Sequence, residues 1–128
     1  MRYLSVKEIL IIHALIIDET GGRHGVRDEG LLASASERPK TMVFGQEQFP
    51  SIFLKAAAYL DSIAKHHVFV DGNKRSAVSV AARFLHANGF VLRATNAALE
   101  KFAVEVVTKR LDIEAIASWL NKQSKKNP

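Results

Sequence analysis

Residues 73–88 read NKRSAVSVAARFLHAN, and the reading of this stretch decides the fold. At about 100° per residue, Arg75, Ser76, Ser79, Arg83 and His86 fall on one narrow polar stripe. Ala77, Val78, Val80, Ala81, Phe84 and Leu85 cover most of the remaining circumference. A helix that is apolar on most sides needs other helices around it. The pattern predicts a central helix from Asn73 to Asn88, closed by Asn88-Gly89, because glycine readily takes the left-handed conformation that ends a helix.

The flanking sequence supplies the helices to surround it. Downstream, Phe90 to Arg93 reads as a short extended piece. Thr95 or Asn96 caps a helix carrying Leu99, Phe102, Ala103, Val106 and Val107, and Asp112 caps a last one with Ile113, Ile116, Ala117 and Leu120 inward. Residues 121–128 read as a frayed basic tail. Upstream, a helix begins at Pro50 or Ser51, presents Ile52, Phe53, Ala56, Tyr59, Leu60 and Ile63, and ends near Lys65. Residues 39–50 have no clear period and form a loop or a short hairpin. Asp28 caps a short helix that must stop before Pro39. The Ser5-x-x-Glu8 capping box opens a first helix over about residues 5–18, stopped by Thr20-Gly21-Gly22. The expected architecture is a single all-α domain, residues 1–128, of about six helices.

Composition excludes several classes. At 128 residues with 48% apolar content, the chain can bury a core. It has no cysteine, so thiol catalysis, disulfides and zinc-thiolate sites are ruled out. No apolar run reaches the length of a membrane span, and the N-terminus lacks the features of a signal peptide. A cytoplasmic protein without membrane association is the expectation. The formal charge of +5 permits an anionic partner without choosing among nucleic acid, nucleotide and acidic protein.

The chemistry lies just before the central helix, in His67-Val-Phe-Val-Asp-Gly-Asn-Lys-Arg75. The N-terminus of a helix points unpaired N–H groups outward, and its dipole favours negative charge. Gly72 lets the backbone turn tightly, and Asn73, Lys74 and Arg75 add side-chain donors, which together make a phosphate cradle. Asp71 stands where a carboxylate can hold a Mg²⁺ that bridges phosphates. His67 is the nearby group able to accept a hydroxyl proton near neutral pH. These are the parts that phosphoryl or nucleotidyl transfer needs. Spacing alone leaves another reading open, in which Asp71-Gly72 is an ordinary turn, Asn73 a helix cap and His67 structural. The stretch is neither a P-loop nor a His-Glu-x-x-His zinc site. His66 beside His67 is a poor metal pair, because adjacent loop side chains diverge. His13, on an apolar helix face, reads as a hydrogen-bonded core residue, and His24 with Arg23 and Arg27 as a solvated turn, with contact to the target as the alternative.

The His-x-Phe-x-Asp-Gly-Asn-Lys-Arg pattern resembles the Fic/Doc family, in particular its death-on-curing (Doc) branch. Tyr3-Leu-Ser-Val, Gly21-Gly22, the block from Gly25 to Leu32, Arg38-Pro39 and Phe84-Leu-His-Ala-Asn-Gly89 are similar to other parts of that branch, so the likeness covers about residues 1–120. It implies an all-helical domain with ATP, Mg²⁺ and a protein hydroxyl as reactants. Carried over, His67 is the general base, Asp71 the metal ligand, and Gly72, Asn73, Lys74 and Arg75 the phosphate-binding residues. Phe69 anchors the loop in the core, Lys65 assists with phosphate, and residues 40–49 form a flap that holds the target by strand addition.

Two departures from the broader Fic pattern bear on the reaction. AMP-transferring members have a glycine where this chain has Lys74, and a second arginine where it has Val78. A lysine fills the space along the helix terminus. The Doc resemblance then implies a reversed nucleotide whose γ-phosphate is transferred, hence a protein kinase acting on a Thr or Ser of a translation factor, elongation factor Tu in that branch. It also implies a toxin held in check by a separate Phd-like antitoxin, since no inhibitory Ser/Thr-x-x-x-Glu-Gly/Asn motif occurs in the chain. Two alternatives remain: a protein AMP- or NMP-transferase on the same fold, and a non-enzymatic basic helical module that binds nucleic acid or protein. Direct nucleic-acid binding is not expected, because no helix-turn-helix pattern occurs.

Overall fold

Five helices start at the side-chain caps the sequence offers. In the computed structural model, which describes residues 1–127, these are α1 (Val6–Thr20), α2 (Glu29–Glu37), α3 (Ile52–Lys65), α5 (Asn96–Thr108) and α6 (Ile113–Lys122). The side chains of Ser5, Asp28, Ser51, Thr95 and Asp112 accept from Glu8, Leu31, Leu54, Ala98 and Ala115 N–H respectively. Each such cap contributes about 1 kcal/mol. At Ser5 the box is complete, since Glu8 Oε1 also accepts from Ser5 N–H at 3.2 Å. The helix that follows the motif, α4 (Asn73–Ala87), differs: its N-cap is Gly72, and no side chain caps it.

Two small antiparallel pairs complete the chain. After a 3₁₀ turn at Arg38–Lys40, β1 (Met42–Val43) pairs with β2 (Gln46–Glu47), so residues 39–50 take the hairpin option. The second pair corrects the expected frayed tail. Here β3 (Phe90–Leu92) pairs with β4 (Ser124–Lys126) in the register Phe90↔Lys126, Val91↔Lys125 and Leu92↔Ser124. Arg93 N–H donates to the Gln123 carbonyl at 2.7 Å, and Asn127 N–H to the Gly89 carbonyl at 2.8 Å. A Lys-rich end has no apolar alternation to mark it as a strand, and its order comes from a ladder offered by a distant segment. Residue 128 lies outside the described residues.

The centre is shared by α3 and α4. Every residue of α3 from Lys55 to Ala64 is buried. On α4, Ala77, Val78, Val80, Ala81, Phe84 and Leu85 are buried, while Arg75, Arg83 and His86 of the polar stripe are exposed. Ser76 departs from that stripe: it is fully buried, and its hydroxyl has no hydrogen-bond partner among the described residues. Tyr59 of α3 packs on Phe84 with ring centroids 5.1 Å apart, and its hydroxyl accepts from Leu4 N–H at 2.9 Å, pinning the N-terminal segment to the core. Burial pushes the Tyr59 phenol up to about 12. Trp119 stacks on Phe102 at 3.9 Å, a packing role. No helix among the described residues is long and apolar enough to cross a membrane. Residues 66–72 join the two central helices, so the motif loop is anchored at both ends to the most buried helices of the fold.

Candidate active site

The loop that carries the motif has little regular structure of its own, and three elements hold it. From α4, the Asn73 side chain reads the backbone of Phe69 on both sides: Oδ1 accepts from Phe69 N–H at 2.8 Å, and Nδ2 donates to the Phe69 carbonyl at 2.9 Å. From α1, His13 Nε2 lies 2.8 Å from the Asp71 carbonyl. A carbonyl only accepts, so Nε2 carries the proton in this contact. The His13 ring also stacks on Phe69, with centroids 3.8 Å apart and planes 5° apart. From the segment between α1 and α2, Arg27 donates through Nε to the His67 carbonyl and through Nη2 to the His66 carbonyl. The backbone of that segment adds Arg27 N–H to the Val68 carbonyl at 2.9 Å, Val70 N–H to the Gly25 carbonyl at 3.0 Å, and a bridge between Val26 and Phe69.

This support fixes Asp71 and His67 in particular. The Asp71 carboxylate accepts from Arg23 N–H at 3.2 Å and from Gly72 N–H at 3.1 Å. A Cβ on Gly22 would stand 2.8 Å from Asp71 Oδ2, so only glycine allows this approach. Gly72 sits at φ +73, and a Cβ there would meet Ile17 Cδ1 at 2.9 Å. Its place between α1 and the motif therefore rests on sterics as well as on backbone freedom. His67 is exposed and adopts φ +49, a conformation uncommon for a residue with a side chain. Strain of this kind costs about 1–3 kcal/mol and gathers at functional sites.

These residues line one open cleft of about 370 Å³. His67, Asp71, Gly72, Asn73, Lys74 and Arg75 form its polar wall, and Ala64 and Val107 are among its apolar lining. The N–H groups of Asn73, Lys74 and Arg75 belong to the first turn of α4 and have no partner inside the helix. Lys74 and Arg75 are exposed, and Arg75 has a distant carboxylate neighbour in Glu100, 3.9 Å away. The cleft thus offers an imidazole, a carboxylate, a row of amide donors and two cations within one volume. A carboxylate with oxygen lone pairs beside a phosphate cradle suits Mg²⁺, which typically takes one or two carboxylates plus phosphate oxygens. Among the described residues, no group of three or more His, Cys, Asp or Glu side chains could hold a metal.

Two sequence expectations change. Lys65 is not brought to the cleft: its Nζ lies 2.6 Å from Asp61 Oδ1 and donates to the Leu111 carbonyl at 2.6 Å. The nearly buried Asp61 carboxylate draws the ammonium away from the motif. Asn73 lines the cleft, but its amide is committed to Phe69, so what it offers a phosphate is its backbone N–H. Phe69, 1% exposed, sits in the core. Arg27 read as part of a solvated turn, yet it carries the carbonyls of the motif's His67 and of His66 before it. His13 is the buried, hydrogen-bonded residue expected, and its partner is the motif itself. Neither role has a local sequence signal, because both partners are far along the chain.

The chain is similar to known proteins over most of its length. The Fic/DOC family model matches residues 3–85. The chain is 40% identical over 121 residues to "Toxin Doc" of Mycolicibacterium smegmatis, covering 93% of this chain and 91% of that protein. It is 30% identical over 122 residues to "Protein kinase doc" of Escherichia phage P1, covering 95% of each. A helical fold, a glycine-capped helix with an imidazole and a carboxylate at its head, and these matches lead to one conclusion: the chain belongs to the Fic/DOC family.

Proposed function

We propose that this protein is a Doc-type toxin, a protein kinase that moves the γ-phosphate of ATP to a Thr or Ser hydroxyl of a translation factor, with elongation factor Tu as the acceptor and a Phd-like antitoxin as its inhibitor. The carrying observation is the one cleft that His67 and Asp71 line together with Asn73, Lys74 and Arg75, the first residues of α4. The names of the two relatives support toxin and kinase.

The chain's own groups suit an in-line transfer. His67 accepts the proton of the acceptor hydroxyl, whose oxygen forms the new bond to the γ-phosphorus as the bond to the bridging β-oxygen breaks. ADP leaves, and the phosphate stays on the acceptor. Mg²⁺, when bound at Asp71, neutralises phosphate charge. The amides of α4, with Lys74 and Arg75, take up the charge on the non-bridging oxygens, and being fixed in place they need no reorganisation during the reaction. Lys74 occupies the room that a glycine would leave along the helix terminus, which favours presenting the γ-phosphate to His67.

Incubation of the protein with elongation factor Tu and ATP labelled at either the α- or the γ-phosphate tests the reading. Transfer of γ-label, and a mass gain of one phosphate on a Thr or Ser, is the expected result. Transfer of α-label would establish the AMP-transferase instead. No transfer of either label, with salt-sensitive DNA binding that does not need His67, would establish the non-enzymatic module.

A further inference from the structure

Helix α3 carries two buried charges outside the cleft, and each grips one foot of the β1–β2 hairpin. Lys55 is 1% exposed. Its Nζ donates to Glu47 Oε1 on β2 at 2.8 Å and to the Phe49 carbonyl just beyond that strand. Asp61 is 6% exposed, and its Oδ2 accepts from Arg38 Nη1 at 2.7 Å. The same nitrogen donates to Ser62 Oγ at 3.0 Å. Arg38 opens the 3₁₀ turn that leads into β1, and its guanidinium also lies 5.7 Å from the centre of the Phe49 ring, so the two feet are tied to each other. Between them the tip is bare: Met42, Val43 and Phe44 are exposed, and Phe44 is held at φ +49.

Stability alone is a weak reason for a buried Lys55. A buried charge is costly unless paired, and a well-packed apolar residue in its place is commonly neutral or stabilising. What Lys55 and Asp61 supply is direction. A hairpin with two residues in each strand is not stable alone, and its ordering would otherwise be charged against every binding event. Helix α3 runs directly into the loop that carries His67, and the hairpin foot meets that loop in a second cleft, lined by Arg38, Thr41, Ser62 and His66 among others. One rigid helix thus holds both the hairpin and the base.

We propose that Lys55 and Asp61 are positioning residues for the protein substrate: they lock the hairpin in one pose relative to His67, so that an extended polypeptide adding to it brings its hydroxyl to the imidazole. This rests on the kinase reading above, with residues 40–49 as the holding element.

The test is Lys55→Met in the full chain, with Glu47→Gln and the double variant. Four quantities are read: thermal midpoint, hydrogen exchange of the amides at 42–47, affinity for Mg²⁺ and ATP by calorimetry, and kinetics of phosphate transfer to elongation factor Tu. Lys55→Met should lower the thermal midpoint by several degrees at most, because the Phe49 carbonyl loses its donor, exchange the hairpin amides faster, and raise KM for the acceptor about tenfold, as loss of preorganisation predicts. Nucleotide affinity and kcat should stay within about twofold. The double variant should be no worse than the single ones, because the pair acts as a unit. Unchanged exchange and unchanged acceptor KM would overturn the proposal. So would a parallel loss of midpoint, nucleotide affinity and kcat, which a merely structural ion pair predicts. If the wild type transfers no phosphate, the kinase reading fails, and hairpin exchange alone decides whether the clamp exists.

Discussion

His13 Nε2 sits 2.8 Å from the main-chain carbonyl of Asp71, 58 residues away, and its ring lies flat on Phe69. The first helix of the chain thereby holds the backbone of the motif carboxylate. His13→Leu removes the donor and leaves the carbonyl unpaired, which costs about 1–3 kcal/mol. Urea unfolding should show this loss, and calorimetry should show weaker ATP binding in the presence of Mg²⁺. Unchanged nucleotide binding would separate His13 from the site.

His67 makes no side-chain hydrogen bond among the described residues, and it is exposed at the edge of the cleft. His67→Ala should abolish phosphate transfer while leaving the helical circular-dichroism spectrum and the thermal midpoint nearly unchanged. A variant that still transfers phosphate would remove the imidazole from its role as base.

Asp71→Ala should weaken ATP binding with Mg²⁺ much more than ATP binding with chelator. Equal losses under both conditions would show that the carboxylate acts through its contacts with Arg23 and Gly72 N–H rather than through a metal.

Lys74 is exposed on the first turn of α4, whose amides have no partner inside the helix. Lys74→Gly should reduce γ-phosphate transfer and open room for the α- and β-phosphates. Mass spectrometry of the acceptor is the readout. With Val78 where AMP-transferring relatives have an arginine, any AMP transfer by the variant should remain weak. Undiminished phosphate transfer would mean that Lys74 does not orient the nucleotide.

Tyr59 makes stability depend on alkaline pH. Its phenol rises from 10.0 to about 12 on folding. A group whose pKa is raised in the folded state holds its proton there after the unfolded chain has lost it. Its contribution is therefore complete below pH 10 and is lost as the pH rises towards 12, by about 2–3 kcal/mol. Tyr59→Phe should be less stable below pH 10, because Leu4 N–H loses its acceptor, yet show a shallower fall between pH 10 and 12 in denaturant titrations at a series of pH values. An identical alkaline slope in both proteins would assign the loss to other groups.

Local rules made much of this protein legible from residues alone. Ser5, Asp28, Ser51, Thr95 and Asp112 start helices because each places an oxygen over the first turn, a relationship contained within four residues. The apolar circumference of residues 73–88 marks a central helix, and the motif before it points to phosphate chemistry, because a helix terminus has the same free amides wherever it occurs. Tertiary structure decided what depends on a distant partner. The tail became a strand because β3 offered it a ladder, and Lys65 turned away from the cleft because Asp61 and Leu111 claimed its ammonium. Arg27 left its turn to carry the carbonyls of His66 and His67, and Asn73 spent its amide on Phe69. The partner each of these groups takes is not named by its neighbours in sequence. Which one it met was settled by the packing of segments far apart in sequence, and that packing leaves no mark on the residues nearby.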